Sequence, residues 1–277
     1  MKILNNEPLA KYTTLKLGGT TNTLYTPETE DELIALVREK KPRYFLGGGS
    51  NLLIPDRAPD TVVCLKEFNH EIVNHGDGVF EVGASVRLQK LINTINEAGF
   101  GGIEFLFSVP GLVGGAIVMN AGLGRSRNDF ISNYLESVRV LKDGEVLTLD
   151  KDECQFGYRT SAFKNTDCIV LSASFRFPEM SREESERRKQ ERLAFTKAKQ
   201  DNSKPNCGSV FRECSPKIIN FVKKVGLGGK VHFSKKTRNW ILNDGGTSAD
   251  AIKTIKKVEK LHKLLGKKCS REVIVWE

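Results

Sequence analysis

A chain of 277 residues, 39% hydrophobic and 28% charged with no biased tract, can bury one large core or two to three small ones, which excludes a disordered or fibrous protein. No apolar run approaches the roughly 20 residues that cross a bilayer, and Met1 to Ala10 lack the apolar stretch of a secretion signal, so a soluble cytoplasmic protein with no membrane partner is expected. The net charge of +9 is concentrated: between Lys217 and Lys268 stand fourteen Lys or Arg against three acids, Asp244, Asp250 and Glu259. Such a field attracts polyanions, of which nucleic acid is only one kind.

The opening reads as a small βαβ unit. A strand over 22–25 is followed by Pro27, and Thr29 with Glu32 has capping-box spacing ahead of Leu33, Ile34, Leu36 and Val37. A strand over 43–46 then empties into Gly47-Gly48-Gly49-Ser50-Asn51. Strands are predicted at 61–65 and 79–83. Leu88, Leu91, Ile92 and Ile95 repeat at helical spacing and stop at Gly99. Residues 137–141 and 146–149 flank Lys142-Asp143-Gly144-Glu145, a hairpin signal, and a long β-rich run over 168–177 is closed by Pro178. The charged stretch 181–204 is helix-prone, has almost no apolar face and suits a connector.

The last region opens near Asn206. Thr247 and Asp250 cap a helix whose inner face is Ile252, Ile255, Val258, Leu261 and Leu265, whose outer face is lysine-rich, and which ends at Gly266. A final strand is predicted over 272–276. The expected fold is α+β in three parts, 1–60, 61–180 and 181–277. The six cysteines (Cys64, Cys154, Cys168, Cys207, Cys214, Cys269) contain no C-x-x-C pair. Reduced thiols are expected. The spacing of Cys207, Cys214 and Cys269 fits no zinc pattern, so no metal is expected.

Two glycine-rich segments carry the chemistry. The first is the 47–51 loop, since backbone without side chains lets several N–H groups approach an anion. The second is Ser108 to Gly122, SVPGLVGGAIVMNAG, which is too glycine-rich for an ordinary core element and too apolar for a surface loop. A backbone ribbon pressed against a flat ligand or a pyrophosphate explains both features; a tight turn between buried elements is the simpler alternative. No G-x-G-x-x-G and no G-x-x-x-x-G-K-[ST] occurs, which argues against a Rossmann dehydrogenase and a P-loop NTPase.

Five ordered motifs resemble the UDP-N-acetylenolpyruvoylglucosamine reductase (MurB) family, in its shorter subtype: Tyr12 to Gly19 (YTTLKLGG), LGGGSNLLIPD at 46–56, VPGLVGGAIVMNAG, Phe156 to Ser161 (FGYRTS) and Cys207 to Phe211 (CGSVF). The resemblance implies two FAD-binding subdomains of the vanillyl-alcohol-oxidase (PCMH) type, at 1–60 and 61–180, followed by an α+β substrate domain over 181–277. It also implies non-covalent FAD, NADPH as co-substrate, a UDP-linked enolpyruvyl amino sugar as partner, no nucleic acid and a monomer. FAD would lie against Gly47, Gly48, Gly49, Ser50 and Asn51 and against Pro110, Gly111, Gly114, Gly115, Ala116 and Asn120. The substrate would meet Tyr158, Arg159 and Arg212. Ser209 matches the family's proton donor, Arg159 the arginine that holds the substrate carboxylate, and Glu272 the glutamate near the end of the chain.

These roles make chemical sense. Hydride addition to an enolpyruvyl group leaves a very basic carbanion beside a carboxylate, so a hydroxyl suffices as its acid. Arginine supplies fixed positive charge. Glu272 donates only if a desolvated site keeps it protonated. The chain departs from the family at Arg212-Glu213-Cys214, where a basic residue is normally followed by Asn and Pro, and at Ser234-Lys235-Lys236-Thr237, where Ser-Glu-x-His is usual. The alternatives are an FAD-linked oxidase of the same broad fold and a non-catalytic polyanion- or RNA-binding protein.

Overall fold

The computed structural model describes Met1–Trp276, leaving aside the side chains of Arg125 and Ser126. The chain forms two compact units, each gathered from three segments. The first takes Met1–Ile3, Tyr25–Gly48 and Val62–Thr196. The second takes Leu4–Leu24, Gly49–Thr61 and the residues from Lys197 onward.

In the first unit helix α1 (Glu30–Lys40) starts at Thr29, whose hydroxyl accepts the Glu32 amide at 3.2 Å. The Glu32 carboxylate reaches the Glu28 amide at 2.8 Å, so its return arm lies one residue before the expected box. Leu33 and Leu36 pack on Val63, Leu141, Ile169 and Leu171. The larger core lies against a five-stranded antiparallel sheet in the order Glu145–Asp150, Leu135–Lys142, Ile169–Arg176, Val79–Gly83 and Ile72–Gly76. The predicted hairpin closes with Lys142 opposite Glu145. Asp143 (φ 53°) and Gly144 (φ 81°) take the left-handed pair that a two-residue turn between twisted strands requires.

Helix α2 (Leu88–Glu97) buries Leu88, Leu91, Ile92 and Ile95, as its spacing predicts. Within the glycine-rich segment the structure corrects the expected ribbon: Val113–Val118 is a short helix, α3, followed by α4 (Gly124–Arg127). Helix α5 (Arg182–Lys199) is the predicted charged helix, laced by Glu184 pairs to Arg187 and Arg188. Its residues up to Thr196 belong to the first unit, where the Ser108 hydroxyl oxygen accepts from Arg192 Nε and Thr196 Oγ1, both at 2.8 Å.

The second unit holds an antiparallel sheet in the order Asn206–Ser209, Trp240–Asn243 and Val231–Phe233. Phe211–Glu213 pairs with Ser270–Arg271, and Leu52–Leu53 runs parallel to Ile274–Val275, so the predicted terminal strand is shorter than expected. Helix α6 (Pro216–Lys224), not predicted, begins with proline at its first position, where a missing N–H costs nothing. With α7 (Ser248–Leu264) it buries Ile218, Ile219, Val222, Ala251, Ile255 and Val258, whereas Leu265, expected on the inner face, lies past the last turn and is exposed. Among the described residues no helix is long and apolar enough to cross a membrane, and no cluster of His, Cys, Asp or Glu could hold a metal.

The start of α7 carries two carboxylates. Thr247 and Asp250 form a full capping box, with Oγ1 accepting the Asp250 amide at 3.2 Å and Oδ2 accepting the Thr247 amide at 3.0 Å. Asp56, the last residue of the LGGGSNLLIPD motif, accepts the Ser248 and Ala249 amides at 3.0 and 2.8 Å. Four amides that the helix cannot satisfy are thus shared between local and distant acceptors. Replacing Thr247 or Asp56 by Ala should each cost about 1 kcal/mol of stability, read as a lower urea midpoint with unchanged slope.

Candidate active site

In the first unit the strand Phe45–Leu46, paired parallel to Val63 and Cys64, delivers Gly47 and Gly48. A Cβ on Gly48 would lie 3.4 Å from the Leu112 nitrogen and 3.5 Å from Gly111 Cα, so the first glycine segment runs beside the second. The second is zipped to residues 84–88: the Leu88 amide donates to Gly111 O (3.1 Å), Val113 to Val86 O (2.9 Å) and Gly114 to Ala84 O (2.9 Å).

The glycines divide by what a side chain would meet. On Gly114 a Cβ would stand 2.9 Å from Ala84 Cβ, so glycine is required there by packing. At Gly47 and Gly115 it would meet nothing within 4 Å, and Gly115 is exposed. These two positions leave open the space that a ligand pressed against backbone needs. Pro110 is exposed and Ala116 buried on the same stretch.

Helix α3 ends in a left-handed residue, Asn120 (φ 41°), with Ala121 donating to Ala116 O at 2.8 Å and Asn120 to Ile117 O at 3.0 Å. The buried Asn120 amide donates to Gly157 O at 3.0 Å and accepts the Ser132 amide at 3.4 Å. Its side chain therefore fastens the FGYRTS loop. Gly157 and Thr160 exchange backbone hydrogen bonds (3.0 and 3.3 Å), closing a tight turn with Tyr158 and Arg159 at its tip and Arg159 in the left-handed region (φ 57°). The half-buried guanidinium donates to Gly122 O at 2.6 Å and Asn120 O at 3.4 Å and lies 5.4 Å over the Tyr158 ring. A non-glycine residue held at positive φ is costly, and here the turn and both carbonyls over-determine it.

In the second unit Gly49 (φ 64°) passes so close to Tyr12 that a Cβ would sit 2.1 Å from its carbonyl oxygen. The YTTLKLGG motif thereby proves structural: Thr14 donates its amide to Gly49 O at 3.0 Å and its hydroxyl to Asn206 O at 2.7 Å, with a weaker reach to Ser50 O at 3.4 Å. Asn51 donates to Glu272 O at 3.0 Å, and its own carbonyl accepts the Ile274 amide at 3.0 Å.

Ser209 stands at the end of the strand Asn206–Ser209, opposite Trp240 and after a bulge at Gly208 (φ 72°). The next residue, Val210, accepts the amides of Glu272 (2.8 Å) and Val273 (3.2 Å) on one carbonyl. The structure thus brings Ser209 and Glu272 together through their main chains. Burial first, and then the Glu272 charge, push the Cys207 thiol up to about 12, which marks a packed cysteine rather than a nucleophile. Arg212, in the strand Phe211–Glu213, has a buried Nε with no hydrogen-bond partner among the described residues. Sequence reasoning passed over Asn239 as a site residue. Its side chain donates to Phe211 O and accepts the Phe211 amide, holding the step between Ser209 and Arg212; a lone asparagine carries no pattern that would have marked it.

A family model described as an FAD binding domain matches residues 22–150. Fold and match together define an α+β protein with an FAD-binding domain. The chain is 32% identical to the UDP-N-acetylenolpyruvoylglucosamine reductase of Bacillus pumilus (strain SAFR-032), over 94% of its own length and 88% of the relative's. It is 33% identical to that of Thermotoga sp. (strain RQ2), over 98% and 92%. The crystal structure of UDP-N-acetylenolpyruvylglucosamine reductase (MurB) from Thermus caldophilus superposes with a TM-score of 0.80 at 30% identity, covering 100% of this chain and 98% of that one. The chain belongs to the UDP-N-acetylenolpyruvoylglucosamine reductase family. The open space at Gly47 and Gly115 fits a flavin nucleotide held by backbone, without a covalent link.

The division among glycines is testable. Gly114→Ala should destabilise the first unit, lowering the melting temperature. Gly115→Ala should melt like the parent and instead weaken FAD retention, measured as flavin lost on dialysis.

Proposed function

We propose that this chain reduces the enolpyruvyl double bond of UDP-N-acetylglucosamine enolpyruvate to UDP-N-acetylmuramate, with NADPH as electron source, in the cytoplasmic synthesis of peptidoglycan precursors. The observation that carries the proposal is family membership along nearly the whole chain, joined to the main-chain linkage of Ser209 and Glu272 through Val210. A working monomer is part of the same reading. So is a division of labour between FAD-binding parts at 1–60 and 61–180 and a substrate part at 181–277.

FAD, when bound, would supply two-electron redox chemistry between NADPH and the substrate. Gly47 and Gly115, with Gly48, Ser50, Pro110, Gly111 and Ala116, would hold it, while Gly49, Gly114, Asn51 and Asn120 serve by shaping the backbone. The protein's own task is the proton. After hydride addition the substrate carbon beside the carboxylate is strongly basic, so the Ser209 hydroxyl can protonate it without a depressed pKa. Arg159, its position fixed by the Asn120 and Gly122 carbonyls, would hold the substrate carboxylate and oppose the charge that develops there. Tyr158 packs beside it. Arg212, with its buried unpartnered Nε, suits an anionic part of the sugar nucleotide. Glu272 is the third group, its main chain fixed by Val210 and Asn51.

Half-reactions separate these roles. In Ser209→Ala, FAD binding and reduction by NADPH should be nearly unchanged, because neither uses the hydroxyl. Turnover of the enolpyruvyl substrate should fall by about 10²–10⁴, with partial recovery in Ser209→Cys. A normal oxidative half-reaction in Ser209→Ala would remove Ser209 from the mechanism.

A further inference from the structure

Helices α6 and α7, with the residues that cap them, carry the four most exposed large apolar side chains among the described residues: Leu264 (71%), Leu265 (61%), Phe221 (55%) and Val225 (54%). Chance scatter of single apolar residues needs no explanation. Here all four fall on two helices that pack together, within the segment that holds the whole positive excess of the chain. The amide of Ser215, just before α6, donates to His262 Nε2 at 2.9 Å, which pins the first turn of α6 beside the last turn of α7. On α6, Lys217, Phe221 and Val225 recur every four residues and share one stripe. At the end of α7, exposed Lys263, Lys267 and Lys268 surround the leucine pair.

The charge is not neutralised within the fold. Among the described residues no lysine of this segment forms a salt bridge. Its three acids are committed elsewhere: Asp244 to Lys204 (2.7 Å), Asp250 to the Thr247 cap and Glu259 to Arg271 (2.7 Å). A second copy of the chain is a poor occupant, because it would bring the same positive charge. Nucleic acid would use the lysines but leave the apolar four without a purpose. Lysines ringing exposed Phe, Leu and Val match an interface that is anionic at its surface and apolar a few ångströms below.

We propose that the α6–α7 face is a docking surface for an anionic lipid bilayer, with Phe221, Val225, Leu264 and Leu265 entering the headgroup–acyl boundary and the surrounding lysines meeting lipid phosphates. Attachment of this kind needs no spanning helix. It places the enzyme at a membrane surface and does not depend on the reaction proposed above.

The test is co-sedimentation of the full FAD-loaded chain with vesicles of phosphatidylcholine, with and without phosphatidylglycerol. Binding should require phosphatidylglycerol and fall steeply as salt is raised. A triple variant Phe221→Ser, Leu264→Ser, Leu265→Ser, which keeps every charge, should bind about tenfold more weakly. So should Lys263→Gln, Lys267→Gln, Lys268→Gln, which keeps every apolar group. Both variants should keep the parent's melting temperature and its reduction by NADPH, since they change exposed side chains with no partner in the core among the described residues. No binding to phosphatidylglycerol vesicles at low salt overturns the proposal. Full binding by the serine variant also overturns it, and leaves a general polyanion site that single-stranded nucleic acid should fill equally well.

Discussion

Much of the second unit depends on one carbonyl. Val210 O accepts the amides of both Glu272 and Val273, so the strand that carries Ser209 is locked to a segment more than sixty residues later. Around it three neighbouring groups keep the same register. The Val210 amide donates to Asn239 O (2.9 Å), the Asn239 side chain brackets Phe211, and Asn51 holds the far side of Glu272. Gly208 supplies the left-handed step that lets the strand bulge just before Ser209. Two residues far apart in sequence are thereby fixed by backbone hydrogen bonds, which no substitution other than proline removes directly.

The first unit solves a different problem. Arg159 is held by carbonyls, and its placement starts at the end of α3. There Asn120 takes the left-handed conformation that ends the helix and then spends its buried amide on Gly157 and Ser132. The carbonyls of Asn120 and Gly122, beyond the end of the helix, receive the guanidinium. The asparagine that fastens the loop and the arginine at its tip are thereby two halves of one device. The glycines of the same motifs split between that scaffolding and the ligand. Gly49 and Gly114 allow backbone to pass close to backbone, whereas Gly47 and Gly115 face open space.

Periodic elements were legible in the sequence for physical reasons. Helices α2 and α7 announce themselves because one face meets a core, and α7 also because Thr247 and Asp250 cap it. The 142–145 turn was legible from Asp-Gly, which tolerates positive φ. Strand Lys2–Pro8 was missed because its two apolar residues, Ile3 and Leu4, are adjacent and exposed, so no alternation marks it. Helix α3 is not legible in its glycine-rich segment because two glycines lower its helical propensity, yet Val113, Ala116 and Ile117 bury one side and tertiary packing wins. The interleaving of segments between the two units depends on pairings distant in sequence, which no local pattern records. The site residues Arg159, Ser209 and Glu272 were named through ordered motifs and a family resemblance. Their residue types alone would have suggested an ion pair, a turn and a solvated carboxylate.

The most direct measurement of the central claim is the anaerobic visible spectrum of the purified protein through one cycle. The expected protein is yellow, is bleached by NADPH, and recovers its colour when the enolpyruvyl sugar nucleotide is added in the absence of oxygen. Recovery only when oxygen is admitted would contradict a reductase and point to an oxidase. A colourless protein that takes up no added FAD would contradict a flavoenzyme altogether.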